Sequence, residues 1–250
     1  MRLLVSVASA ADASAALAGG ADVIDAKDPD AGALGAVAPA VLREISERVG
    51  TARLVTAALG DAREEGATER AARTFIEAGA ALVKIGFAGS AGHARVRALI
   101  AAAVRGAWSG GVIAVAYADA TDAAAPDRDS LIDIAAHAGA TGILLDTFNK
   151  RGAGLRGLAS AQALSAWVAA AHDRGLLAAV AGKLMLEDLP FARDSGADVA
   201  GVRGAACVGG RTGLISAERV RLLRAQIDSP SRSAELSASL SSALTTNVAT

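Results

Sequence analysis

The chain has 250 residues, a formal net charge of −1, no basic tract, and a composition that is 52% hydrophobic but only 3% aromatic. That balance argues against nucleic acid and anionic membrane surfaces as partners, and it predicts a core of Ala, Val, Leu and Ile. A single cysteine, Cys207, leaves no disulfide framework and no cysteine-rich metal site.

Taken in order, the chain reads as strand then helix, repeated. Arg2 to Val7 is an apolar strand, and Ser9 to Leu17 an Ala-rich helix with Ser9 as N-cap, stopped by Gly19 and Gly20. Asp22 to Lys27 is the second strand. A loop of Asp28, Pro29, Asp30, Gly32 and Gly35 follows, and a helix then opens near Pro39 and runs through Val41 to Arg48. Further strands are predicted at Arg53–Leu59, Ala81–Ile85, Val112–Tyr117, Gly142–Asp146, Leu176–Ala181 and Val199–Arg203. Helices are predicted between them at 67–78, 92–104, 127–138, 159–172 and 186–192, with a last one at 216–226 capped by Ser216. The phrases AGGAD, EAGAALV, HAGATGI and DSGADVA each place a glycine at a helix end immediately before a strand. Eight such units in a chain of this length predict a single (β/α)8 TIM barrel over residues 1–227. An open doubly wound sheet is the alternative, but no GxGxxG follows the first strand. From 228 to 250 the chain turns rich in Ser, Thr and Ala, and is expected to be a disordered or weakly helical tail. No apolar run reaches the ~20 residues of a membrane helix, and MRLLVSVASA is too short and strand-like for a signal peptide. A cytoplasmic protein is expected.

Lysine is rationed. Of 25 basic residues only four are lysines, Lys27, Lys84, Lys150 and Lys183, and the other 21 are arginines. Each lysine lies at or just beyond the end of a short apolar run, DVIDAK, ALVK, GILLDTFNK and LLAAVAGK. Arginine cannot serve where an amine must lose its proton. Asp25 and Lys27 stand two apart on one strand and therefore point the same way. An isolated Asp-x-Lys is commonly a plain ion pair. In a TIM barrel, however, the strand ends feed one mouth, which would gather Asp25, Lys27, Lys84, Asp146 and Lys150. Crowded amines in an apolar setting depress one another's pKa. Such a lysine can form a Schiff base or act as a general base. The turns at Gly182-Lys183 and Arg203-Gly204, after strands seven and eight, suit a phosphate. Ser6 and Thr56 are placed to line the mouth. His93, His137 and His172 fall on outer helices without ligand spacing, so no metal is expected. Cys207 reads as a small buried residue, and Trp108 and Trp167 as packing residues.

Taken together, LLVSV, GGADVIDAKDP, AGALGA, VKIGF, LLDTFNK, AGKLMLEDL and ADVAGVRGAAC resemble the (5-formylfuran-3-yl)methyl phosphate synthases, also described as 4-(hydroxymethyl)-2-furancarboxaldehyde-phosphate synthases. The resemblance runs over roughly residues 2 to 225. It implies a TIM barrel that condenses two molecules of glyceraldehyde 3-phosphate to a furan aldehyde phosphate, the furan precursor of methanofuran-type carriers, without a cofactor. It implies a Schiff base on Lys27, proton acceptance by Lys84, and Asp25, Asp146 and Lys150 completing the pocket. The family often has Ser at the slot of Lys183. A homo-oligomer with a triose phosphate as its small-molecule partner is expected. Two rival readings stand beside this one. Asp25-Ala-Lys27-Asp28-Pro29-Asp30 also fits DxKxxD, which resembles the orotidine-monophosphate decarboxylase superfamily. A barrel that binds a phosphometabolite without turnover is the other.

Overall fold

The computed structural model describes residues 1–229. Eight parallel strands close a barrel in sequence order, β1 (Arg2–Val7), β2 (Val23–Ala26), β3 (Leu54–Asp61), β4 (Leu82–Gly86), β5 (Gly111–Tyr117), β6 (Gly142–Asp146), β7 (Leu177–Val180) and β8 (Val199–Val202), with β8 pairing back onto β1. The TIM barrel expected from the repeated helix-to-strand phrases is what forms. The expected tail lies outside the described residues except for its first two. Asp228 ends the final helix and Ser229 caps it.

The main helices are α1 (Ala10–Ala18), α2 (Pro39–Val49), α3 (Glu65–Glu77), α4 (His93–Gly106), and, beyond a single turn α5 (Ala120–Ala123), α6 (Arg128–His137). They continue with the turn α7 (Leu155–Leu158), α8 (Ala161–Asp173), α9 (Leu189–Asp194) and α10 (Ala217–Asp228). Their starts follow local chemistry. Ser9, Ser160 and Ser216 each accept from a backbone N–H in the first turn, and Pro39 opens α2. Two features were not foreseen. A two-stranded antiparallel ribbon, β9 (Cys207–Val208) and β10 (Leu214–Ile215), lies between β8 and α10, and β3 runs two residues further than expected.

Strand alternation sorts the side chains. Leu3, Val5, Ile24, Val83, Ile85, Ile143, Leu145, Ala178 and Ala200 face the helices and are buried in the main core. Their neighbours face the barrel axis: Val23, Asp25 and Lys27 from the β2 segment, Leu82 and Lys84 from β4, Leu144 and Asp146 from β6. Small residues on the same interior, such as Ala179 and Gly201, leave a cavity of about 500 Å³. Trp167 is buried, with its indole N–H donating to Arg128 O, as expected of a packing residue. Trp108 is not one; it stands 72% exposed in the turn after α4.

Candidate active site

Five chemistry-bearing side chains foreseen in the sequence meet inside the C-terminal mouth. Asp25, Lys27, Lys84 and Asp146 are all buried, and Lys150 half-buried. Lys84 differs in placement. It sits in the middle of β4 and not at its end, because Ile85 and Gly86 continue the strand.

The five form two pairs and one remaining amine. Asp25 is fully buried and saturated: Lys84 Nζ lies 2.6 Å from its Oδ1, Thr56 Oγ1 donates to Oδ1 at 2.7 Å, and Ser6 Oγ donates to Oδ2 at 2.8 Å. Ser6 on β1 and Thr56 on β3 are the register partners of Asp25 on β2, and Lys84 reaches it from β4, one strand further on, where it pairs with Ala58. Asp146 takes Lys150 Nζ at 2.7 Å and its neighbour's Thr147 N–H at 2.7 Å, both on Oδ1. The Lys150 amine also donates to Thr147 O. Lys27 Nζ lies 3.8 Å from Asp146 Oδ2, inside ion-pair range but beyond hydrogen-bond range. Lys27 is thus the one amine of the three with no carboxylate oxygen within 3 Å.

Electrostatics separates the members further. Burial first, and then repulsion from Lys150 and Lys84, lowers the Lys27 pKa from 10.5 to about 8 against the opposing pull of Asp146 and Asp25. For Asp146, burial alone would raise the pKa, but Lys150 and Lys27 outweigh it and hold the carboxyl below the usual carboxylate value. The site therefore contains a buried anion beside an amine that is readily deprotonated.

The phosphate turns lie on the same cavity wall. Gly182, Lys183, Arg203 and Gly204 all line it. Gly182 has φ +103, and a Cβ there would meet Thr147 Cγ2 at 2.9 Å, so the turn needs glycine. Lys183 follows in the left-handed region at φ +58, and its amine reaches Gly152 O in the loop that carries Lys150. Among the described residues, no acceptor is found for the N–H groups of Gly182, Lys183, Gly204 and Ala205. Arg203 departs from the expectation of direct phosphate contact. Its guanidinium donates to Ser6 O at 2.9 Å and Arg211 O at 2.8 Å, and sits 3.6 Å from Asp12. It offers an anion positive charge and a fixed backbone more than free N–H groups.

Sequence reasoning missed three supports. Gly60, at φ +86, lies in a register shift of β3, which re-aims Asp61 so that it accepts from Tyr117 Oη at 2.7 Å and Ala88 N at 2.8 Å. Burial, and then the nearby Asp61 carboxylate, push the Tyr117 phenol well above its usual range. Asp119 accepts from Phe148 N and Asn149 N at 2.7 and 2.8 Å, fixing the loop that carries Lys150. Arg211 lines the cavity and ties the loop after β2 to the loop after β8, donating to Pro29 O and Gly32 O. Neither carried a signal of its own in the sequence: Arg211 depends on a distant loop and Asp61 on the bulge. His93, His137 and His172 are exposed on helices, Cys207 is buried, and Asp30, the last member of DxKxxD, is exposed in the loop.

The model of the 4-HFC-P synthase family matches residues 3–224. The chain belongs to that family. Among relatives of this 4-HFC-P synthase family member, the (5-formylfuran-3-yl)methyl phosphate synthase of Methanothermobacter thermautotrophicus is 37% identical over 235 residues, 92% of this chain and 100% of the relative. The protein of the same name from Methanocaldococcus jannaschii is 36% identical over 231 residues, 90% of this chain and 98% of the relative. Membership makes the chain an enzyme. Solved structures support the fold of this family member alone. Phosphoribosyl anthranilate isomerase from Thermotoga maritima superposes with a TM-score of 0.63 at 14% identity, over 91% of this chain and 98% of that one. A 3-hexulose-6-phosphate synthase does so at 0.58 and 22%, over 91% and 100%. No helix among the described residues is long and apolar enough to cross a membrane.

Proposed function

We propose that this chain is a (5-formylfuran-3-yl)methyl phosphate synthase that serves methanofuran-type cofactor synthesis. Two molecules of glyceraldehyde 3-phosphate condense on it through an imine at Lys27, with release of phosphate and water. The observation that carries this reading is the contrast among the three amines: Lys84 and Lys150 are closely ion-paired to carboxylates at 2.6 and 2.7 Å, whereas Lys27 lies 3.8 Å from Asp146 and faces the cavity with a pKa lowered to about 8.

The chemistry follows from those positions. Neutral Lys27 attacks a triose carbonyl carbon, and the Lys84 ammonium protonates the hydroxyl that leaves as water. The iminium draws electrons from the neighbouring carbon, whose proton passes to the Lys84 amine just formed. The resulting enamine expels the phosphate from C3, leaving an iminium conjugated to a C2 enol whose C3 is nucleophilic. That C3 adds to the C2 ketone of the second triose, isomerised from its aldehyde by proton transfer through the Lys84–Asp25 pair. The second triose's C1 hydroxyl closes the ring on C2 of the first, two waters leave, and hydrolysis of the iminium yields the aldehyde and frees Lys27. The Asp146 carboxylate, anionic throughout, lies against the cationic imine. The N–H groups of Gly182, Lys183 and Gly204 would hold a phosphate and so fix the reacting carbons. Residues 1–227 suffice as the catalytic unit in this reading, consistent with the family match ending at 224.

The test is incubation of the purified protein with glyceraldehyde 3-phosphate while a furan aldehyde chromophore and released phosphate are followed. Both are expected in equal amounts. Tight binding without either product would favour the non-catalytic barrel, and decarboxylation of a nucleotide or sugar acid would favour the DxKxxD reading.

A further inference from the structure

A second cavity of about 630 Å³ opens on the mouth beside the first. Its walls are the loop after β2, the turn α5 and the loop after β6. It shares two residues with the inner cavity, Lys150 and Arg211. Arg211 is the partition. Its guanidinium donates only to the backbone carbonyls of Pro29 and Gly32, and among the described residues no carboxylate lies within ion-pair distance of it. Burial, and then the repulsion of Arg203, lower its pKa, so an added anion nearby would relieve unfavourable charge. Arg151, exposed on the same groove, likewise has no carboxylate partner among the described residues. Asp30 and Asp122, both exposed, also line the groove, and the Asp146, Asp30 and Asp28 carboxylates attract the Arg211 charge without coming into ion-pair range, so its charge is only partly compensated.

We propose that this outer groove is a second phosphate subsite, with Arg211 and Arg151 as its anion-binding side chains. The inference rests on the condensation of two triose phosphates, which demands two phosphates held at one mouth. The first triose, anchored at Gly182 and Gly204, presents its carbonyl to Lys27. The second, with its phosphate on Arg211 and Arg151, enters across Lys150 and presents its C2 carbonyl, after isomerisation, to the nucleophilic C3 of the Lys27-bound triose. The shared wall keeps the two carbon skeletons adjacent and the two dianions apart, since a guanidinium fork can bind phosphate oxygens in pairs.

The test is equilibrium titration with glycerol 3-phosphate, which has the phosphate but no carbonyl. Two molecules per chain are expected to bind the native protein and one the Arg151→Gln/Arg211→Gln variant. Borohydride trapping of the imine is run alongside, because Arg211 also braces the loop after β2. In that variant, half-saturation of trapping by glyceraldehyde 3-phosphate is expected to stay within about twofold, while half-saturation of turnover rises at least tenfold. One molecule per chain in the native protein would overturn the subsite, as would equal weakening of trapping and turnover. Two molecules bound with no furan formed would leave the subsite standing and sink the proposed reaction instead.

Discussion

The two carboxylates of the mouth are built for different tasks. On the β1–β4 side, Asp25 is fully buried, accepts from Ser6 and Thr56 and is ion-paired to Lys84, each within 2.8 Å. On the β6 side, Asp146 binds Lys150 closely but leaves Lys27 at 3.8 Å. The first arrangement resembles a structural bolt with a proton-bearing end. The second leaves one ammonium under-compensated, so that burial first, and then repulsion from Lys150 and Lys84, lowers its pKa. The contrast teaches that three lysines in one mouth acquire different chemistry from the balance of burial against the closeness of a carboxylate.

The largest effect is expected from the under-compensated amine. Lys27→Arg keeps the charge and removes the nucleophile, so turnover should fall by at least about 10⁴-fold, as for other covalent machinery. A furan-forming assay checks it. The bolt is broken by Lys84→Met, which leaves Asp25 buried without its cation. Activity should drop by about 10²–10⁴-fold, and denaturant unfolding should show a loss of roughly 3–5 kcal/mol. Lys84→Arg should recover most of that stability but not the activity, separating the pair's two tasks.

A subtler change makes the two sides more alike. Lys150→Gln removes a repelling charge and frees Asp146 to pair with Lys27, so the Lys27 pKa should rise above about 8. The sign is definite: the active form is the neutral amine, so the acid limb of the rate–pH profile should move to higher pH. An unmoved limb would mean that Lys150 does not set the nucleophile. The smallest effect belongs to the rim. Lys183 is exposed and reaches only Gly152 O, so Lys183→Ser should raise KM several-fold and leave kcat within about threefold, measured by steady-state kinetics.

Much of this was legible in the chain because barrel geometry turns strand parity into direction. Asp25 and Lys27 two apart had to share a face, and scarce lysines at strand ends had to converge once eight β/α units were counted. What stayed hidden depended on contacts between distant segments. Lys84 closes the apolar run ALVK, yet the strand carries on to Gly86, which pairs with Asp61 across the bulge. Arg203 read as a phosphate ligand, but its carbonyl partners lie on β1 and on the connection ahead of β10. Arg211 gave no signal of its own, since its role depends on a loop some 180 residues earlier in the chain. Trp108, expected to pack, stands largely exposed because it falls in the turn after α4 and not on a helix face.

The central claim is that Lys27 is the amine that becomes covalently bound, and that it does so because it is readily deprotonated. Borohydride reduction in the presence of glyceraldehyde 3-phosphate, followed by peptide mass analysis over a range of pH, measures both at once. The expected result is a reduced adduct on the peptide containing Lys27, with a trapping rate that rises with pH to half its maximum near 8. An adduct on Lys84 or Lys150, or a midpoint near the ordinary lysine value of 10.5, would contradict it.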